Sequence, residues 1–148
     1  MVSDSLSDVC SDDRGFDYRT PDSSTFTVKQ IRDGAPDPEG RRRAFVAMDH
    51  LDVMDYPAGT PKRLTNSSNG EFEPAWSPDG QWIAYTTWDD SIGYLNRVRS
   101  DGTGRAQRLT PQEGMWTNPV YTPNGTRIVA TRAPSRGSLL RSSLPWSR

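Results

Sequence analysis

Glu73-Pro74-Ala75-Trp76-Ser77-Pro78-Asp79-Gly80, followed at once by Trp82-Ile83-Ala84-Tyr85-Thr86, decides the fold. Proline at the second position of a tight turn already has the φ that the turn requires. Aspartate hydrogen-bonds its own local backbone there, and glycine accepts positive φ. Downstream, Ile83 and Tyr85 alternate with Trp82, Ala84 and Thr86, as a strand with two different faces demands. One turn between two strands is the local reading.

Moving outward, the same string returns. Asn118-Pro119-Val120-Tyr121-Thr122-Pro123-Asn124-Gly125 and Arg127-Ile128-Val129-Ala130-Thr131 repeat it forty-five residues on. Pro61-Lys62-Arg63-Leu64-Thr65 precedes one copy and Ala106-Gln107-Arg108-Leu109-Thr110 the other, with no gap. An eroded earlier copy, Asp37-Pro38-Glu39-Gly40 and Ala44-Phe45-Val46-Ala47, lies forty residues before. The second unit is therefore five residues longer, and the surplus fits the hairpin loop between Trp88 and Gly93. Strands are predicted at Ala75–Ser77, Gln81–Thr87, Tyr94–Arg99 and Gln107–Thr110. Four strands per ~45 residues form the blade of a β-propeller. No sustained 3.6-residue apolar stripe calls for a helix. The fold class expected is all-β: an incomplete propeller of about 2.5 four-stranded antiparallel blades.

Pro74-Ala75-Trp76-Ser77-Pro78-Asp79-Gly80, then Ile83-Ala84-Tyr85, with Arg63-Leu64-Thr65 upstream, resembles the repeat of TolB-like propellers. Similar blades occur in tricorn-like proteases, in prolyl-oligopeptidase relatives and in front of some amidohydrolases. The resemblance covers Phe26 to Ala133. It is specific for the blade and unspecific for function. Glu39 and Asn124 stand where the repeat has aspartate, and the first turn lacks its serine. The resemblance implies a ring of about six or more blades. It also implies a periplasmic or extracytoplasmic setting, although Met1–Asp13 shows no signal-peptide pattern. The units divide at about 25–60, 61–105 and 106–133. Residues 1–24 and 134–148 match no repeat, and their Ser-rich composition predicts disorder.

Composition limits the chemistry. Net charge is −1, so no overall field draws the chain to nucleic acid or anionic lipid. Arg41-Arg42-Arg43 reads as a solvated strand start. No stretch approaches the ~18 apolar residues of a membrane span. Cys10 is the only cysteine and His50 the only histidine. That rules out an intramolecular disulfide and the multi-histidine ligand set of a binuclear hydrolase. Gly-x-Ser-x-Gly and phosphate-binding glycine loops are absent from the sequence as well. No catalytic residue, cofactor or metal is expected.

What remains is a propeller face. The loops around residues 66–72, 88–93 and 111–117 are expected to share one side. They would display Glu71, Phe72, Trp88, Asp89, Asp90, Met115 and Trp116. Aromatic side chains supply contact area and carboxylates supply orientation, which suits a protein or peptide partner. The plainer reading of Trp88 and Trp116 is that they plug the gaps between blades, because large aromatics commonly fill such seams. Trp76, Tyr121, Ile83 and Ile128 are expected in the core. The function expected is a non-catalytic interaction or scaffold module, with self-association through unpaired blades. The alternative is the propeller part of an amidohydrolase or prolyl-oligopeptidase-like hydrolase.

Overall fold

The computed structural model describes residues 28–134 apart from Ser91, so the disorder expected at both ends, and Cys10, lie outside the described residues. Ten strands and no helix fill the described region: β1 (Ile31–Pro36), β2 (Arg42–Ala47), β3 (His50–Asp55), β4 (Lys62–Arg63), β5 (Gly70–Trp76), β6 (Trp82–Trp88), β7 (Gly93–Arg99), β8 (Gln107–Arg108), β9 (Met115–Tyr121) and β10 (Ile128–Ala133). They form antiparallel sheets β1-β2-β3-β4, β5-β6-β7-β8 and β9-β10, each in sequence order. This is an incomplete propeller of two four-stranded blades and a two-stranded third.

The sheets are phased differently from the sequence units. Lys62 and Arg63 open the second repeat in sequence, yet they pair with Val53 and Asp52 and close the first sheet. A blade's boundary thus falls after β4, where the chain crosses to the next innermost strand. The extra length of the second unit lies where expected. Met48 and Asp49, both at positive φ, make a two-residue turn between β2 and β3, whereas β6 and β7 each gain a residue and are tied beyond Trp88 by the Asp89 N–H donating to the Ile92 carbonyl at 3.0 Å.

The three turns show why substitutions in the motif are tolerated. Ser77 Oγ donates to Asp79 Oδ1 at 2.5 Å and accepts from the Trp82 N–H at 2.9 Å. Thr122 and Asn124 repeat this, at 2.8 Å between side chains and 3.1 Å from the Arg127 N–H. In the first turn Asp37 stands at the serine position. Its Oδ1 alone accepts from the N–H groups of Arg41 and Arg42, at 2.8 and 3.1 Å. One carboxylate therefore does the work of two side chains, and position 39 is released to glutamate. Gly80 has φ +67, as a glycine-dependent turn requires.

The core lies between the first two sheets. Ala44, Leu51, Val53 and Leu64 pack against Ile83, Tyr85 and Val98, with Trp76 half-buried at its edge. Ile83 is fully buried, as its place in the repeat predicts. Tyr121 and Ile128 are only half-buried, because β9-β10 offers two strands where the second sheet offers four.

β5 corrects the expected Ala75–Ser77 strand: it begins at Gly70 and bends at Glu73, where the register shifts and φ is +52. Asp33 and Asn118 occupy the same place in β1 and β9, at φ 53 and 51. A bulge of this kind breaks the period-2 pattern, which conceals the first half of the strand from a reading of alternation. Each bulge is tied to the next sheet. Asp33 Oδ2 accepts from the Glu73 N–H at 3.0 Å, and Glu73 Oε2 from the Asn118 N–H at 2.5 Å.

Arg42 also departs from expectation. It is a half-buried clamp between blades, not a solvated charge: its guanidinium stacks 4.8 Å from the Trp76 ring centroid and donates to the Gly80 carbonyl at 3.1 Å. Trp76 returns the link, its Nε1 donating to the Ala35 carbonyl at 2.9 Å.

Candidate functional site

Strand order places the expected loops on one side. Asn69 Nδ2, in the crossing from β4 to β5, donates to Asp89 Oδ2 in the β6–β7 loop at 3.4 Å. The Gly114 N–H, in the crossing from β8 to β9, donates to the Gly93 carbonyl at 3.1 Å. Both crossings are thereby tied to the β6–β7 hairpin of the second sheet.

On this side, between the inner strands of the second and third sheets, lies a cleft of about 240 Å³. Phe72 and Trp88 reach it from the second sheet, Met115 and Trp116 from the third. Asp33 and Glu73 share its lining, each with a carboxylate oxygen engaged by the next sheet's backbone. Gly93 makes room for Trp88: a Cβ there would stand 2.7 Å from the indole and 2.5 Å from the Thr87 carbonyl. Trp116 is held by its Nε1, which donates to the Gln112 carbonyl at 3.2 Å. Arg132 lies 5.9 Å from the Trp116 ring centroid and bonds the Glu113 carbonyl at 3.0 Å. Trp88 and Trp116 are thereby held in place by contacts within the chain itself.

The seven residues expected on this face do not all stay together. Phe72, Trp88, Met115 and Trp116 line the cleft, and Asp89 and Asp90 are exposed in the loop beside it. Asp89 shapes that loop, its Oδ1 accepting from the Ile92 N–H at 2.7 Å. Glu71 must be removed from the set. It is fully buried in β5, where Oε2 accepts from the Leu51 N–H at 2.8 Å and from Thr65 Oγ1 at 2.5 Å. Its role is to fasten the second blade to the first, because an acid so enclosed needs donors. Its charge and the burial of Tyr85 push that phenol far above its ordinary range, burial contributing most.

Sequence reasoning missed Asp33 and Glu73. The signal was present as a side-chain acceptor recurring at 33, 73 and 118, with the spacings of the repeat. Larger hollows, of about 440 and about 610 Å³, follow the outer strands and the open side of the third sheet. The latter marks missing cover more than a formed site. His50 opens β3, half-buried, and its Nδ1 has no hydrogen-bond partner among the described residues. Among the described residues no group of three or more His, Cys, Asp or Glu side chains could hold a metal ion. Among them, too, no helix is long and apolar enough to cross a membrane.

No protein-family model matches the chain. The chain is similar to the Tol-Pal system protein TolB of Desulfosudis oleivorans, 44% identical over 84 residues, which cover 53% of this chain and 18% of that protein. It is also 35% identical over 120 residues to a protein of Streptomyces coelicolor named as a tricorn protease homolog, covering 76% of this chain and 10% of that one. Among solved structures, TolB from Acinetobacter baumannii shares the fold, with a TM-score of 0.59 and 23% identity over 70% of this chain and 27% of its own. The chain spans a third or less of the curated relatives it matches. Repeat, sheet order and relatives agree that the chain is part of a TolB-like β-propeller, and its described residues hold two full blades and half of a third.

Proposed function

We propose that the chain is a non-catalytic interaction module that grips a protein or peptide segment in the aromatic cleft between its second and third blades. The observation that carries this reading is the pre-positioned set Phe72, Trp88, Met115 and Trp116 beside Asp33 and Glu73. Large aromatics on a rigid support bring contact area at low entropic cost, and a rim carrying Asp89 and Asp90 favours a basic segment. The likeness to a Tol-Pal system protein supports a protein partner and an extracytoplasmic setting. Panning a displayed peptide library on the full chain tests it. Selected peptides should carry Lys or Arg beside an apolar anchor, and Trp116→Ala should weaken them at least tenfold. Peptides indifferent to Trp88→Ala and Trp116→Ala would refute the cleft.

A second reading, the propeller part of a hydrolase, is favoured by the likeness to the tricorn protease homolog. There the same cleft would dock or gate substrate for a catalytic domain. Coding sequence downstream of residue 148 separates the two. A Gly-x-Ser-x-Gly or a multi-histidine motif would support the hydrolase, and further blades alone the module.

A further inference from the structure

A second hollow, distinct from the aromatic cleft, lies between the first and second sheets, both of which hold four strands. Its volume is about 440 Å³. Buried Tyr85, Thr87 and Asn96 make its floor, and exposed Arg105 and Arg108 stand at its rim beside Tyr94. Tyr85 is 2% exposed, yet its hydroxyl has no hydrogen-bond partner among the described residues and is not sealed from the hollow. Asn96 donates from Nδ2 to Thr87 Oγ1 at 3.0 Å and to the Tyr94 carbonyl at 3.2 Å, which fixes the amide and leaves Oδ1 to the same space. Buried polar groups normally find partners, so two of them on one floor await theirs from outside the chain.

The first sheet shows that the blade itself does not require this polarity. Cross-strand register sets Tyr85 opposite Asn96 and Phe45 opposite Asp52. Phe45 and Ala47 therefore stand in the first sheet where Tyr85 and Thr87 stand in the second. Arg63 and Arg108 likewise share one place in the repeat. Arg63 pairs across the strands with Asp52, an acid, whereas Arg108 pairs with Asn96. Arg108 lies 3.8 Å from the Tyr94 ring centroid, and neither it nor Arg105 has a carboxylate partner among the described residues. Glu71 is behind the floor, fully buried and bonded to Thr65, whose side chain also lines the hollow. Its charge repels an anion from the inner end, while the two guanidinium groups attract one to the rim.

We propose that this hollow binds a small hydroxylated carboxylic acid of the sugar-acid class, with its hydroxyl groups against Tyr85 and Asn96 and its carboxylate against Arg108 and Arg105. The carboxylate of the ligand supplies the counter-charge that Asp52 supplies in the first sheet. Guanidinium N–H groups hold carboxylates in paired hydrogen bonds. A phenol that donates beside an amide oxygen that accepts matches a hydroxyl, which does both. The volume falls within the ~300–1,000 Å³ usual for small-ligand sites.

Titration calorimetry of the full chain with glucuronate tests this, with glucose as the uncharged arm and acetate as the arm without hydroxyls. Glucuronate should bind, and glucose and acetate should each bind about tenfold more weakly or less. Arg108→Gln changes an exposed side chain, and Tyr85→Phe installs the side chain that the first sheet carries at Phe45. Each should weaken glucuronate about tenfold with unchanged strand content by circular dichroism. Amide shifts on adding glucuronate should move at Tyr85 and Asn96 and stay still at Trp116. Absence of glucuronate binding by both calorimetry and shift changes would overturn the proposal, as would binding that both variants leave intact. Acetate bound as tightly as glucuronate would show an adventitious anion at the arginines and overturn it equally.

Discussion

The carboxylate of Glu73 accepts the backbone N–H of Asn118, forty-five residues ahead, just as the carboxylate of Asp33 accepts the N–H of Glu73, forty residues ahead. One contact thus recurs at the spacing of the sequence repeat and stitches the innermost strands together. Glu73→Ala should cost about 0.5–1.5 kcal/mol, the usual net worth of such a bond. Glu73→Gln retains an acceptor and should cost less. Urea unfolding of the two variants checks the order.

The turn glycine gives a second expectation. Gly80 sits at φ +67, where a β-branched residue is strained, whereas the neighbouring Gln81 is exposed. Gly80→Val should therefore lower stability by roughly 1 kcal/mol or more beyond Gln81→Val. Equal shifts in melting temperature would show that the turn does not depend on this backbone conformation.

Glu71 and Asp90 should behave oppositely, although both are acids of the loop-rich side. Glu71→Ala strands the Leu51 N–H and the Thr65 hydroxyl in a buried site and should cost about 1–3 kcal/mol. Asp90→Ala, on an exposed loop, should stay within about 0.5 kcal/mol. Peptide capture should respond in reverse, with Asp90→Ala weakening a basic segment. Parallel chemical denaturation and peptide binding on both variants check this.

Acid should loosen the turns. Hydrogen bonds from Ser77 and the Gln81 N–H hold Asp79 below its ordinary value of 3.8. At Asp37, burial pushes upward but is outweighed by the N–H groups of Arg42 and Arg41 and by the Arg42 guanidinium, so the net shift is down. A carboxyl depressed in the folded state stabilises fully above its unfolded value, and loses that contribution as pH falls through the folded one. Stability should thus be level above about pH 5 and fall below about pH 4. Asp79→Asn should flatten the fall. Asp52 has the opposite sign, since burial raises it, so Asp52→Asn should gain stability at pH 7 and none at pH 3. Melting temperatures across pH 3–7 test both.

The repeat made sheet order, turn chemistry and the burial of Ile83 legible, because each depends on residues close in sequence. The Glu73 bulge hid half of β5, since alternation fails where one residue is inserted into a strand. Glu71 consequently read as a loop acid. Arg42 read as one of three solvated arginines, because its partners Trp76, Gly80 and Ser100 lie 34 to 58 residues away. Phe72, Trp88, Met115 and Trp116 were legible as a group from loop alternation alone. Asp33 joined them only through the crossing of blades.

The most direct test of the account is whether the blades are stitched to one another as well as folded one by one. Nuclear Overhauser contacts in the full chain read this at three amides. The Glu73 amide is expected beside the Asp33 side-chain methylene, the Asn118 amide beside the Glu73 side chain, and the Leu51 amide beside Glu71. Cross-strand contacts such as Ile83 to Val98 appearing without these seam contacts would contradict it, leaving independent sheets on a string in place of a propeller.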